Sequence, residues 1–290
     1  MRPLLILALT VAPVSLAMVR QGDVLDAGTL APRVAHRALG AVPTDTFRWR
    51  GRIERGRAIE IKSMTGEIRA ELATGNEVEV VGVKSARRSD PDSVELVVLE
   101  HADGVTICAV YPSGPLRIGR REIDAGPNEC APGDSGRMNS QNNDVRVDFL
   151  VRVPAGVRLV ARAVNGGVRA IALRSPVDAY SVNGDVTVST SEYAEGVSVN
   201  GNITASLGGA IPPTDLDFRT LNGTITLTLP SDAAAEVQAD VLNGGSITAD
   251  FPLTTSTHGP RRRGIGVIGR GGPRVYLATM NGSIRVRTRE

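Results

Sequence analysis

The chain has 290 residues, 33 basic and 31 acidic, with a formal net charge of +2 at pH 7 and the two signs interspersed along most of its length. That balance implies no nucleic-acid partner and no anionic membrane surface as partner. A Val- and Thr-rich, turn-rich composition almost without helix signals points to β structure throughout, in one large or two small domains.

The first residues, MRPLLILALTVAPVSLA, place one Arg before an apolar run from Leu4 to Val14 and then small residues at Ser15 and Ala17. This is the pattern of a secretory signal peptide over 1–17. The run is broken by Pro13 and is shorter than the roughly 20 apolar residues a spanning helix requires. No later stretch is apolar enough to cross a bilayer, so no transmembrane segment is expected. Residues 18–46 do not alternate and are punctuated by Gly22, Gly28, Pro32, Gly40 and Pro43, so they read as an extended lead-in.

Order is expected from Phe47. Period-2 alternation predicts strands at 58–61, 77–80, 94–98 and 105–107, within an N-terminal β region over 47–154. Cys108 and Cys130 have no companion Cys or His pair of the kind a zinc site uses, and in an oxidising compartment they read as a disulfide. Closing a loop of about 20 residues would contribute about 3 kcal/mol by restricting the unfolded chain. That covalent tie accounts for the Gly-, Pro-, Asn- and Ser-rich stretch at 112–143, which has no clear period.

From 155 to 290 one short phrase recurs. Asn165-Gly166, Asn183-Gly184, Asn200-Gly201, Asn222-Gly223, Asn243-Gly244 and Asn281-Gly282 each sit between apolar residues, with successive Asn positions 18, 17, 22, 21 and 38 residues apart. The last gap is close to two periods, so one unit has lost its motif or gained an insertion. A degenerate copy stands at Met64-Thr65-Gly66-Glu67-Ile68. Self-similarity at about 20 residues is the mark of units that bury a core only when stacked. The all-β fold predicted is thus a β-solenoid, or β-helix-like stack, with Asn-Gly at one corner of each coil and equivalent Asn residues stacked. The alternative is an antiparallel meander, because Asn-Gly is the preferred two-residue hairpin turn and needs positive φ. Pairing around Asn222-Gly223 would set Phe218 opposite Leu227, which suits a hairpin; the same exercise around Asn200-Gly201 does not. Constancy of period favours the solenoid. In either fold the glycines are expected at positive φ.

These phrases, the block VTICAVYP at 105–112, the strand at 144–154 and the C-terminal Gly-Gly-x-x-x-Tyr-Leu-Ala-Thr-Met-Asn-Gly segment together resemble the bacterial DUF4097 adhesin-like family. The resemblance covers about 47–288. It implies an exported, solenoid-like β fold with no established enzymatic activity, sometimes encoded near envelope-stress regulators, and it supplies no catalytic residues.

Several patterns imitate catalytic or cofactor motifs. Gly133-Asp134-Ser135-Gly136 looks like the nucleophile turn of a chymotrypsin-like protease, but no suitable upstream His and Asp accompany it, so it reads as a polar loop. Gly264-Ile265-Gly266-Val267-Ile268-Gly269 matches G-x-G-x-x-G, yet Arg270-Gly271-Gly272-Pro273 deny it the helix a dinucleotide fingerprint must open; it reads as a Gly-rich loop. His36, His101 and His258 lack ligand spacing, so neither a metal nor a cofactor site is assigned. Asp185, Asp215, Asp217, Asp232 and Asp240 do not fall at equivalent places in consecutive units and read as solvent-facing charges. Sequons at Asn202, Asn222 and Asn281 are by-products of the turn phrase. An insertion loop is expected at 252–273, where Arg261, Arg262, Arg263 and Arg270 cluster without neighbouring acids and could contact an anionic polymer or headgroup.

The sequence thus predicts a non-catalytic exported protein that presents a repetitive β surface to an unknown protein or envelope polymer. A carbohydrate-active β-helix enzyme and a periplasmic partner in envelope-stress regulation are the competing expectations.

Overall fold

The computed structural model describes residues 46–114, 116–118, 121–123, 126–140, 142–209 and 214–289. The expected signal peptide, His36 and all of the lead-in but its last residue lie outside the described residues.

The described residues begin with β1 (Thr46–Gly51), β2 (Ala58–Thr65), β3 (Ile68–Leu72), β4 (Val78–Ser85), β5 (Glu95–His101) and β6 (Gly104–Val110). A short antiparallel ribbon follows, β7 (Leu116–Ile118) with β8 (Arg121–Ile123), and then β9 (Arg146–Val153). The repeats supply β10 (Arg158–Asn165), β11 (Val168–Leu173), β12 (Val177–Asn183), β13 (Val186–Thr190), β14 (Ala194–Asn200), β15 (Ile203–Leu207), β16 (Leu216–Asn222) and β17 (Ile225–Pro230). The chain closes with β18 (Ala235–Val241), β19 (Ile247–Ala249), β20 (Thr254–His258), β21 (Arg261–Ile268), β22 (Arg274–Asn281) and β23 (Ile284–Arg289).

Each coil is one strand, an Asn-Gly corner, a second strand and a return turn, so that successive coils stack in parallel register and build two facing sheets. The larger sheet runs β20-β21-β18-β22-β16-β14-β12-β10-β2-β6-β5, and the other β1-β4-β9-β3-β11-β13-β15-β17-β23-β19. The solenoid prediction therefore holds and the meander does not: Phe218 and Leu227 belong to opposite sheets, on β16 and β17. Residues 47–154 and 155–290 build the same two sheets. The β2/β3 coil, which carries the degenerate Thr65-Gly66 copy, lies between the β6/β9 and β10/β11 coils, with Thr65 in register with Asn165.

Alternate residues on each strand point between the sheets, and these make the core: Ile59, Ile61, Leu159, Val177, Leu216, Phe218 and Leu277 from one side, and Ile68, Val168, Val186, Ile203, Ile225, Leu227 and Ile284 from the other. Size is matched along a row. Gly196 is the register partner of Phe218, and a Cβ on that glycine would already touch the ring at 3.4 Å.

The 38-residue gap has a topological cause. The β18/β19 coil is followed by a hairpin, β20 and β21, which pairs antiparallel on the outer side of β18. The chain then returns to insert the β22/β23 coil between β16/β17 and β18/β19. The region 252–273 is therefore largely strand rather than an insertion loop, and the G-x-G-x-x-G match lies mostly within β21. Its Gly264 and Gly266 leave room for Ile247, Phe251 and Leu253, which pack against that strand.

The corners correct the conformational argument. Gly166, Gly184, Gly201, Gly223 and Gly282 all lie outside the left-handed region. They are glycine because the next coil's backbone passes too close for a side chain: a Cβ on Gly223 would sit 2.0 Å from the Gly201 carbonyl oxygen, and one on Gly282 1.9 Å from that of Gly223. Gly244 is the exception. It has φ +69 and open space, while the following Gly245 takes the stacked place, 1.6 Å from the Gly282 oxygen if given a Cβ. Asn243-Gly244 thus carries one extra residue at its corner.

Two side-chain ladders reinforce the stack. In spatial order Asn165, Asn183, Asn200, Asn222, Asn281 and Asn243 form a chain of amides, each Nδ2 donating to the preceding Oδ1 at 2.7–2.9 Å. Two residues earlier and pointing inward, Ser181, Ser198, Thr220 and Thr279 donate their hydroxyls to the corner glycine carbonyl of the preceding coil at 2.8–3.0 Å.

Steric exclusion at the corner predicts that Gly223→Ala lowers stability by about 1–3 kcal/mol, the usual range for overpacking. Gly75 has ordinary φ and no atom within 4 Å of an added Cβ, so Gly75→Ala should stay within about 0.5 kcal/mol of the parent. Chemical denaturation of the two variants checks this; equal midpoints would show that the corner yields freely.

Candidate functional site

The outer face of the larger sheet gathers most of the chemistry. Its rows run across the coils at fixed offsets from the corner residue. Five positions before it stand Glu60, Val160, Asp178, Glu195, Asp217, Tyr276 and Gln238; three before it stand Lys62, Arg162, Tyr180, Val197, Arg219, Ala278 and Asp240.

At the end nearest β5 the disulfide segment lies on this face. Cys108 and Cys130 are bonded, with Cα atoms 5.7 Å apart. Cys108 is the register partner of Lys62, so the bond brings residues 131–135 over β2. There Lys62, 6% exposed, donates to the carbonyls of Ala131, Gly133 and Ser135, the last two at 2.6 and 3.0 Å. Burial pushes its pKa down. Beside it Glu60 accepts from Arg162 Nε at 2.8 Å, from the Thr106 hydroxyl at 2.9 Å and from the Gly133 amide at 2.9 Å. Asp134 takes the other side of Arg162 at 2.9 Å. The Gly133-to-Gly136 turn is thus a clamp on a buried Lys and Glu. Its Ser135 contributes a carbonyl to that clamp. His101 hydrogen-bonds Thr106 at 3.0 Å, while His258 is exposed on β20 at the far end of the sheet.

In the middle of the face, Asp178, Glu195 and Asp217 occupy one row on consecutive coils. The sequence reading missed this row because it compared aspartates alone and included neither Asp178 nor Glu195; the shared offset of five residues before Asn was the available signal. Asp178 is 2% exposed and ion-paired with Arg158, yet its Oδ1 accepts no hydrogen bond. Asp217 pairs with Arg219. Glu195 is in no salt bridge among the described residues. All three carboxyls have raised pKa values, and burial is the leading cause in each. For Glu195 the neighbouring charges of Asp178 and Asp217 add to it. Arg162 stacks over Tyr180 at 4.4 Å and Arg219 over Tyr276 at 5.2 Å, so each arginine also covers an aromatic ring.

The arginine cluster is only partly as expected. Arg263 pairs with the buried Asp240 at 2.8 Å, so that member has a neighbouring acid and a structural task. Arg261 and Arg262 are exposed on β21, and Arg270 in the turn after it. Elsewhere, a concavity of 540 Å³ beside the turn after β3 is lined by Arg50, Glu71, Glu77, Glu79 and Arg152. Its two arginines and three glutamates are all paired, Arg50 with Glu77 and Glu79, and Arg152 with Glu71 and Glu79. Among the described residues no group of three or more His, Cys, Asp or Glu is placed to hold a metal ion, and no helix is long and apolar enough to cross a membrane.

No family model matches the chain, and no curated protein matches it. Among solved structures it is similar to a putative cell adhesion protein from Clostridium sporogenes ATCC 15579, with a TM-score of 0.44 and 9% identity over 84% of this chain and 100% of that one. It is also similar to a putative adhesin from Bacteroides fragilis NCTC 9343, with a TM-score of 0.25 and 11% identity over 84% of this chain and 97% of that one.

The carboxylate row makes a prediction about pH. A carboxyl with a raised folded-state pKa holds its proton more readily folded than unfolded, so its contribution is full at acid pH and lost as pH rises through the folded value. Replacing Glu195 with Gln should raise the melting temperature at pH 7, and the gap to the parent should close towards about pH 4, the ordinary range for Glu. Melting curves of both proteins across that interval decide it. A gap that is constant or widens on acidification would mean Glu195 is not held as described.

Proposed function

We propose that this chain is an exported envelope or surface protein of the DUF4097 type, without catalytic activity, that presents its solenoid face to a protein or envelope polymer as an adhesin does. The observation that carries this reading is an apolar stripe on the outer face of the larger sheet. Met64, Val164, Val182, Val199, Leu221 and Met280 each stand one residue before the corner, on consecutive coils, half-buried or exposed, with Val182 at 39%. At about 4.8 Å per coil the stripe extends for about 24 Å. The Asn amides border it on one side and the charged rows on the other, which is the composition of a contact surface with an apolar centre and polar rim. Because the ladder already fixes the amides of that border in place, little ordering entropy is lost there on contact. The disulfide supports an oxidising compartment.

A second reading draws on the row Asp178, Glu195 and Asp217. Carboxyls on adjacent coils with raised pKa values are the kind of groups glycoside-cleaving enzymes use as proton donors. The partner in the first reading could equally be an envelope-stress regulator, which crosslinking would identify.

The test pairs Val182→Arg with Val199→Arg in the full chain and measures retention on native envelope fractions after crosslinking. Retention should fall at least about tenfold with the melting curve unchanged, the size of effect that losing an apolar centre of contact gives. Unchanged retention, together with sugar reducing ends released in a reaction that Glu195→Gln abolishes, would replace the first reading by the second.

A further inference from the structure

We propose that the chain associates head to tail through the open ends of its sheets, the partner at each end being a second copy of the same chain. This goes beyond the display face, which lies on the flank of the stack rather than at its ends.

A stack of coils leaves strands with one unpaired side, and such edges template pairing unless they are protected by Pro, Lys, a bulge or a covering segment. At one end of the larger sheet the edge strand is β20, Thr-Thr-Ser-Thr-His, with all five residues exposed. It contains no Pro, no Lys and no register shift. It buries nothing, so its own contribution to folding is small, yet it offers a full edge of backbone donors and acceptors. At the other end the edge strand is β5, which among the described residues pairs with β6 alone.

The strand directions fit one arrangement. β20 is antiparallel to β21, which is antiparallel to β18, so β20 runs the same way as the coil strands. β5 is antiparallel to β6 and runs against them. A second copy carried along the stacking axis without inversion therefore meets β20 with β5 in antiparallel orientation. The rows also continue. The row through Asp240 and Lys62 ends at Ser256 on one side and at Val97 on the other. Aligning those two residues sets His258 opposite Glu95 on the same face.

Charge selects this pairing over the alternatives. His258 and its cross-strand partner Arg261, with Arg262 next to it, are exposed and form no ion pair among the described residues. Glu95 and Glu100 on β5 are likewise exposed and in no ion pair among the described residues, and before β5 stand exposed Asp90 and Asp92, the latter 3.8 Å from Lys84 Nζ. Joining β20 to β20, or β5 to β5, would put like charges together; joining one to the other puts opposite charges together. The overhangs agree to within one strand, a joint setting β21, β20 and β5 in the larger sheet against β4 and β1 in the other. Beyond the last full coil, the larger sheet alone continues at the β20 end, by β21 and β20, whereas at the β5 end the other sheet continues further, by β4 and β1. A joint between unlike ends does not close on itself, so it yields a filament rather than a dimer.

The experiment uses the full chain and two variants that each disable one end: Glu95→Arg at the β5 end and Ser256→Pro at the β20 end, both exposed positions. Sedimentation velocity over a concentration series at low and moderate salt should show the parent growing without a fixed stoichiometry, less so at higher salt. Each variant alone should need at least a tenfold higher concentration to associate, with its melting curve retained. Mixed, the two variants have one competent joint between them and should form one-to-one dimers that grow no further. A parent that stays monomeric, a dimer that persists in either variant alone, or a mixture that gives no dimer overturns the proposal.

Discussion

Everything in this molecule follows from how closely two coils approach at the Asn-Gly corner. The backbone of one coil passes so near the glycine of the next that a single methyl group would fall well inside contact distance of a carbonyl oxygen. That approach holds neighbouring coils in one register, and one register is what lets identical side chains meet identical side chains. The amide ladder and the Ser and Thr hydroxyls that cap the glycine carbonyls follow from it. So does the matching of Gly196 to Phe218 within the core. On the outside the same register turns an unremarkable distribution of Asp, Glu, Arg and Tyr into rows in which each charge has a defined neighbour.

Those rows behave differently from scattered surface charges. Arg158 with Asp178, Arg162 with Glu60 and Arg263 with Asp240 each join a long cation to a nearly buried carboxylate. Such pairs add little to net stability when both partners are desolvated, but removing one partner is costly. Their value here is positional: they hold the arginines against the sheet, Arg162 over the Tyr180 ring of its own row, and leave the apolar stripe uncovered beside them.

Much of this was legible in the sequence. Period and phrase identified the stack, the stacked Asn residues and the coil around Thr65; the cysteine pair identified the tie that holds the 131–135 segment down. The glycines were read through backbone dihedrals, because Asn-Gly is best known as a hairpin turn, whereas here the constraint is a neighbour that is far away in sequence. The spatial order of coils was not legible either. Nothing local distinguishes β22/β23 from a coil that simply follows β18/β19, since both carry the corner phrase, and only the pairing partners differ. Glycine and arginine dominate β21 and locally read as a loop, although Gly264 and Gly266 are there to admit Phe251 and Leu253. The carboxylate row needed alignment by offset from Asn, with Glu admitted beside Asp.

That inserted coil also governs the order of assembly. β18 and β19 are made before β22 and β23 but stand outside them, so their places in the sheets do not exist until the last strands of the chain are complete. A stack built in sequence order could nucleate early and extend coil by coil as the chain emerges. This one can do so only as far as β17. Beyond that point β18 and β19 wait for their inner neighbours, β18 meanwhile joined on its outer side by β21, and β22 and β23 then close the structure as a keystone between two parts already made. The stack therefore depends on β22 and β23 in a way it depends on no earlier coil: until they are made, β18 and β19 have no coil to join.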